Sequence, residues 1–298
     1  KIIYLRSVQS SQEASQLAEV PVFNHFYFVR LKIVKTSEPN HMLALISPAK
    51  TLDFTETPLC SIAPTVPTFL KESNKLNKTL TNIEPSELAS LMKISDKLAE
   101  LNYRRNIEWK ENTKEHRDSK AAVLAFQGDV YQGLDAGSMT KTDLKWAQNR
   151  LRILSGLYGI LKPLDEICAY RLEMGTGLAN SRGENLYGFW GDRVTDELNK
   201  TMSDSKHKTL VNLASNEYFK VVNPAKIKAD VLNVNFKEKK GGQYKFISIY
   251  GKKARGLMSR FIIKNRISKL SDLKAFDYEN YQFNPSLSED LDWTFTRG

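Results

Sequence analysis

Short apolar runs recur along the chain, and segments with helical spacing lie between them. The runs are 43–46, 121–126, 153–158, 209–214 and 231–236. Their length and content fit strands buried in a sheet. Between them, 67–80, 86–92, 143–151 and 189–202 read as helices. Ser95 is placed to cap another helix reaching Trp109, with Leu98, Leu101 and Ile107 as its inward side. Residues 170–174 read as a further strand, and Ser215 as the cap of a short helix ending at Phe219. The segment EKKGGQ reads as a hairpin loop joining 231–236 to a strand over 244–250. Strands and helices interleave, which predicts a mixed α/β or α+β fold. No linker splits 42–298, so this span predicts one compact domain, and its length allows a sizeable core.

The first 41 residues read differently. Residues 1–19 are polar and lack the order of a secretory leader. The apolar stretch VPVFNHFYFVRLKIV is short and broken by Asn24, His25, Arg30 and Lys32, so it does not span a bilayer. At Met42 the text turns into MLALISPAKTLDF, a buried strand running into a proline-broken loop. The expectation is that Met42 is the natural start and that 1–41 is an upstream or non-native extension. A genuine extra strand is the alternative.

Charge is unevenly spread. The net charge is +10, yet 220–270 alone holds 14 Lys or Arg against Asp230 and Glu238. The following 28 residues are acidic, with Asp272, Asp277, Glu279, Glu289, Asp290 and Asp292. The tail can pair with the basic segment, or shield an anion-binding face from solvent. The densest part is GKKARGLMSRFIIKNR, 251–266. As a helix at about 100° per residue, it sets Lys253, Arg260 and Lys264 on one stripe. Lys252, Arg255, Ser259 and Arg266 lie on another, with Leu257, Met258, Phe261 and Ile262 between. A helix lining a cleft has this layout, and so do two solvated flanks with extended lysines and arginines.

Three further clusters hold chemistry-bearing residues. In FQGDVYQG, Asp129 sits in a glycine-flanked turn after a strand, a position for a general base or a ligand contact, or for an Asx-turn or helix N-cap. In LSGLYGILKPLDEICAYRLEMGTGL, Gly156 and Gly159 bracket a turn that resembles, with wider glycine spacing, a DNA-binding helix-hairpin-helix. Arg171 and Glu173 there share one face of a strand, as an ion pair or an anion clamp beside an acid. In NLASNEYFK a strand runs into a helix start at Glu217. Gly175 and Gly177 lack the third glycine of a dinucleotide fingerprint, and there is no P-loop. Cys60 and Cys168 are far apart, and His25, His41, His116 and His207 show no ligand spacing. These features predict free thiols in a reducing cytoplasm, no metal site and no cofactor.

The runs MLALISPAKTLDF, LMKISDKLAELN, AFQGDVYQGL, LRILSGLYGILKPLDEICAYRLEMG, NLYGFWGD, NLASNEYFK and YGKKARGLMSRFIIKNR together resemble the YaaA family of bacterial peroxide-stress proteins. The likeness covers about Met42 to Phe283. It implies a cytoplasmic protein with a compact mixed α/β fold, a helix-hairpin-helix element and a positively charged cleft. It also implies resistance to hydrogen peroxide through less DNA damage and less free iron, and binding of double-stranded DNA, intact, distorted or damaged. By this resemblance the cleft would use Lys50, Lys93, Lys97, Arg171, Lys252, Lys253, Arg255 and Arg260. Two readings stay open. One is a DNA-binding module that holds phosphates without reading bases. The other is an enzyme in which Asp129, Glu173 or Glu217 serves as acid or base beside an Arg/Lys clamp, on a nucleotide, a damaged base or another small anionic ligand.

Overall fold

The computed structural model describes residues 41–56, 62–111 and 119–298. The expectations for 1–40, and those for Cys60, His25 and His116, lie outside these residues. Eight strands form the main sheet. They are β1 (Met42–Ile46), β2 (Leu151–Ser155), β3 (Gly159–Leu161), β4 (Thr209–Leu213), β5 (Asp230–Lys240), β6 (Gln243–Lys245), β7 (Gln282–Phe283) and β8 (Asp292–Arg297). The spatial order is β7-β8-β5-β4-β1-β2-β3, with β6 folded back on the end of β5. Strands β8, β5, β4, β1 and β2 run parallel; β7, β3 and β6 are antiparallel additions. This is the predicted mixed α/β class.

Strand β1 lies between β4 and β2, with Met42 opposite Thr209 and Ala44 opposite Leu151. All five of its residues are buried. That explains MLALI, since a parallel strand covered on both faces has no polar side to display. In β5 burial alternates instead, with Leu232, Val234 and Phe236 inside and the residues between them half-buried. From β1 the chain builds β2 and β3 on one side, then returns to add β4, β5 and β8 on the other. The direction of winding therefore changes beside β1. In open α/β sheets the crevice at such a switch point, at the carboxyl ends of the strands, is where ligands bind.

One contiguous core joins Met42 to Phe295 through the described residues. No helix among them is long and apolar enough to cross a membrane. The basic segment is a helix, Ser248–Lys264, as its spacing predicts. It packs on a second helix, Asp129–Leu134. The contact is a close backbone approach. A methyl group added at Gly256 would penetrate the Val130 carbonyl, and one added at Gly133 would penetrate the Lys253 carbonyl. Glycine is needed at both positions because no side chain fits.

Several local expectations are overturned. FQGDVYQG is not a turn, since Asp129 opens the short helix just described. Residues 121–126 are not one strand: Ser119–Ala121 and Phe126–Gln127 are strands, with a turn of helix, Ala122–Ala125, between them. The glycines of LSGLYG do not join two helices. They belong to the connection between β2 and β3, a β-hairpin at the sheet edge. Residues 170–174 are irregular rather than a strand. The 189–202 helix is two, Leu186–Trp190 and Arg193–Asp204, parted at Gly191. Residues 246–250 do not extend β6, because the basic helix has already begun at Ser248. In the helix Asp96–Glu108 the inward residues are Ala99, Asn102 and Asn106. Leu98, Leu101 and Ile107 are 39%, 36% and 51% exposed. Of the inward polar residues, Asn102 donates its side-chain amide to the Leu98 carbonyl at 2.7 Å, and the Asn106 backbone carbonyl accepts from the Asn77 side-chain amide at 2.9 Å, while Asn106 Nδ2 is buried without a partner among the described residues.

Candidate functional site

The carboxyl ends of β1 and β4 meet at two serines. The Ser215 N–H donates to Ser47 Oγ at 2.9 Å, and the two hydroxyls lie 3.3 Å apart. Ser47 begins the SPAK segment, where Pro48 prevents β1 from continuing. Its carbonyl accepts from the Tyr131 hydroxyl at 3.2 Å. The two short connections are thus tied together across the switch point.

Around these serines gather the acids that the sequence singles out. Glu173 is gripped at both oxygens, by Arg171 Nη2 at 3.0 Å and by Lys50 Nζ at 3.0 Å. Burial, and after it the positive charge of Arg171, lower the Arg105 pKa, so the two guanidinium groups lie near each other. Arg171 Nε is buried and has no acceptor. Glu217 Oε1 accepts from the Gly175 N–H at 3.0 Å, in a segment two residues from Glu173. Burial first, then Tyr170, Glu217 and Glu173, push the Tyr218 phenol well up, so both carboxylates lie near that ring. The segment that leads into Asp129 passes close by: a methyl at Gly128 would sit 3.5 Å from Ala49 Cβ, the residue before Lys50. The Asp129 carboxylate is half-buried, with no hydrogen bond or ion pair among the described residues. The structure therefore brings Lys50, Arg171, Glu173 and Glu217 together from three distant sequence segments, with the backbone leading into Asp129 beside them.

The remaining cations stand elsewhere. Lys253 pairs with Glu279, and Arg260 with Asp135 at 3.3 Å. Lys264 and Arg266 share Asp143, at 3.0 and 2.7 Å. All three cations of one predicted stripe, and Arg266 of the other, thus face this chain's own acids. Glu279 is the tail residue that meets it, while Ser259 is buried rather than presented. Lys252 is exposed and Arg255 half-buried, and neither meets an acid among the described residues. The Arg255 guanidinium lies over the Phe246 ring, 6.0 Å from its centre. Tyr244, Phe246, Ile249 and Tyr250 are exposed beside them. Lys93 and Lys97 lie on another feature: Lys93 in the three-residue turn between the helices Pro85–Met92 and Asp96–Glu108, and Lys97 in the first turn of the second helix. Lys93 closes the first helix in the left-handed conformation, φ 53°. Both lysines are exposed.

Sequence reasoning missed Ser47, Ser215's contact with it, Arg105 and the exposed aromatic group. Ser47 had a signal in the proline that follows a buried strand. Arg105 had none, because only the fold brings it to Arg171. A groove of about 580 Å³ opens away from the crevice, between Lys78, Ile83, Glu87, Leu91 and Leu178. It contains none of the candidate residues.

Comparison with known proteins gives the family. A family model described as "Peroxide stress protein YaaA" matches residues 42–287. A UPF0246 protein of Colwellia psychrerythraea is 52% identical over 86% of this chain and 99% of its own length. A UPF0246 protein of Aliivibrio fischeri is 53% identical over 81% of this chain and 93% of its own. One of Marinomonas sp. is 53% identical over 83% and 94%. The chain belongs to the YaaA family of peroxide stress proteins.

Proposed function

We propose that this protein binds DNA in the cytoplasm during peroxide stress, and so limits DNA damage and free intracellular iron. The observation that carries the reading is the segment from Tyr244 to Arg255. It exposes Tyr244, Phe246, Ile249 and Tyr250 among Lys245, Lys252 and Arg255. No acid occurs between Glu238 and Asp272. Cations interleaved with aromatic faces suit phosphates and bases together. Lys93, in the tight turn between two helices, and Lys97, in the first turn of the second, supply a second set of phosphate contacts in this reading. Lys50, Arg171, Lys253 and Arg260 hold acids of their own and add mainly to the surrounding field. The positively charged cleft and the helix-hairpin-helix role of that turn are parts of the proposal. The effect on iron is indirect in this reading, following from events on DNA.

The test is a fluorescence titration with duplex oligonucleotides at several salt concentrations. Affinity should fall with salt by roughly 0.9 log units per log unit for each phosphate contacted. The triple variant Lys93→Gln/Lys97→Gln/Lys252→Gln should bind more weakly and give a shallower slope. Salt-insensitive binding, or none at low salt, sinks the reading.

A further inference from the structure

One acid of the tail, Glu279, pairs with the basic helix, and its backbone there is unusual. Glu279 and Asn280 both take left-handed conformations, φ 51° and 65°. Asparagine adopts this region readily, and glutamate does so less often. A residue held there is held by its surroundings, and such positions gather where one side chain must stand in one place. Here the Glu279 carboxylate stands between two cations. One oxygen meets Lys253 Nζ at 2.5 Å and the other meets Arg297 Nη1 at 2.9 Å. Arg297 already has a carboxylate, Glu238 on β5, at 2.7 Å. Lys253 has no other acid among the described residues. Its ammonium holds the Glu279 carboxyl below the ordinary carboxylate range, with burial acting against it and Arg297 with it, so the acid stays charged at neutral pH.

The other acids on this helix lock elements together. Arg260, besides meeting Asp135, donates to the Leu134 and Asp135 carbonyls that end the short helix. Asp143, which holds Lys264 and Arg266, is buried and caps its own helix through Thr140. The Glu279–Lys253 pair is open by comparison, with side chains 34% and 41% exposed. It also borders the surface assigned to DNA. Tyr250, one turn before Lys253 on the same helix face, is exposed, and the Arg297 guanidinium lies over its ring at 5.0 Å. Lys252, the adjacent residue, is exposed with no acid beside it. A carboxylate oxygen on a lysine stands where a phosphate oxygen would stand.

We propose that Glu279 is a built-in phosphate mimic, an autoinhibitory contact that holds Lys253 back from DNA. The proposal rests on the DNA-binding reading. The helix then engages a duplex with one cation fewer than it carries, and the tail sets its affinity below what its charge allows.

Duplex titrations of the full chain over a range of salt concentrations test it. Glu279→Gln should bind roughly three- to tenfold more tightly than the parent near 0.1 M salt, and its salt slope should steepen by up to about 0.9, one more phosphate. Lys253→Gln should cost more affinity in the Glu279→Gln background than in the parent, and should return the slope to the parent's. In the parent, Lys252→Gln should lower the slope by about 0.9 and Lys253→Gln by less; this comparison uses two exposed lysines and does not require Glu279→Gln to fold. Binding by Glu279→Gln no tighter than the parent's overturns the proposal. So does a gain that Lys253→Gln leaves undiminished, which would be a general effect of losing one negative charge. Equal loss of slope from Lys252→Gln and Lys253→Gln overturns it as well. If neither the parent nor Glu279→Gln binds at low salt, the DNA reading fails and this contact's role fails with it; if the parent binds and Glu279→Gln gains nothing, the inhibitory role alone fails.

Discussion

Two side chains show how burial decides reactivity. Cys168 has no exposed surface, and burial pushes its thiol up to about 11. The thiolate is the form that peroxide and alkylating agents attack. In the native protein Cys168 should therefore resist hydrogen peroxide and iodoacetamide and react only after denaturation. Mass spectrometry of its peptide checks this, and rapid native labelling would mean the strands open there. The sequence showed two cysteines far apart but not the burial of Cys168 in a strand. His207 is the second case. Burial lowers its pKa to about 4, and Arg150, His41 and Arg152 act in the same direction, against the Asn149 carbonyl, which raises it. The unfolded chain takes up this proton near 6.5, and the folded chain only near 4. Below 6.5 the unfolded state binds more protons, so stability falls as pH falls through that window and the loss is complete below 4. His207→Gln should flatten the decline in Tm between these values. A parallel decline in parent and variant would remove His207 as a cause.

At the scale of elements, what the sequence displayed depended on where pairing partners lie. The interior strands β1, β4 and β5 were legible because their neighbours bury them and demand apolar runs. The 121–126 run was not, because it divides among two small pairings, with Glu166–Cys168 and with Thr51–Leu52. Those partners are distant in sequence and short. The helical nature of Asp129–Leu134 was hidden by its glycines, which read as turn residues. Gly133 is there because the basic helix packs on it, and Gly128 because the residue before the helix takes a φ of 136°. Glycine at 256 and 133 is a packing requirement, and a test follows. Gly256→Ala gains roughly 1 kcal/mol of helix propensity. It also forces a methyl into the Val130 carbonyl. Overpacking of this kind costs about 1–3 kcal/mol. A net loss in urea denaturation is expected; a stabilised variant would mean that the helices separate without cost. The same logic explains the site. Each acid in the crevice was visible as a candidate, but their meeting depends on the order β5-β4-β1-β2, which no local pattern specifies.

At the scale of the whole molecule, the last strand closes the architecture. Strand β8 is not an edge. It lies between β7 and β5, pairing parallel to β5 from Asp292 opposite Asn233 to Arg297 opposite Glu238. Phe295 is fully buried and stacks with Phe236, 5.8 Å between ring centres, while Phe276 and Phe283 meet it edge-on. Arg297 then binds Glu238 at 2.7 Å and Glu279 at 2.9 Å. Glu279 also holds Lys253 of the basic helix. The acidic tail therefore does more than screen charge, because it anchors the helix that the DNA reading depends on. Truncating a buried Phe to Ala costs about 3–5 kcal/mol, a large part of the 5–15 kcal/mol typical of a domain. Phe295→Ala should lower the urea midpoint sharply. A chain ending at Ser288 loses the strand, Trp293, Phe295 and both Arg297 bridges together, and should not give a cooperative unfolding transition. It should fail to bind DNA even though every cation of the basic helix remains. A truncated chain that melts cooperatively and keeps its affinity would show that β8 is an accessory to the sheet and that the helix is held by its glycine contacts alone.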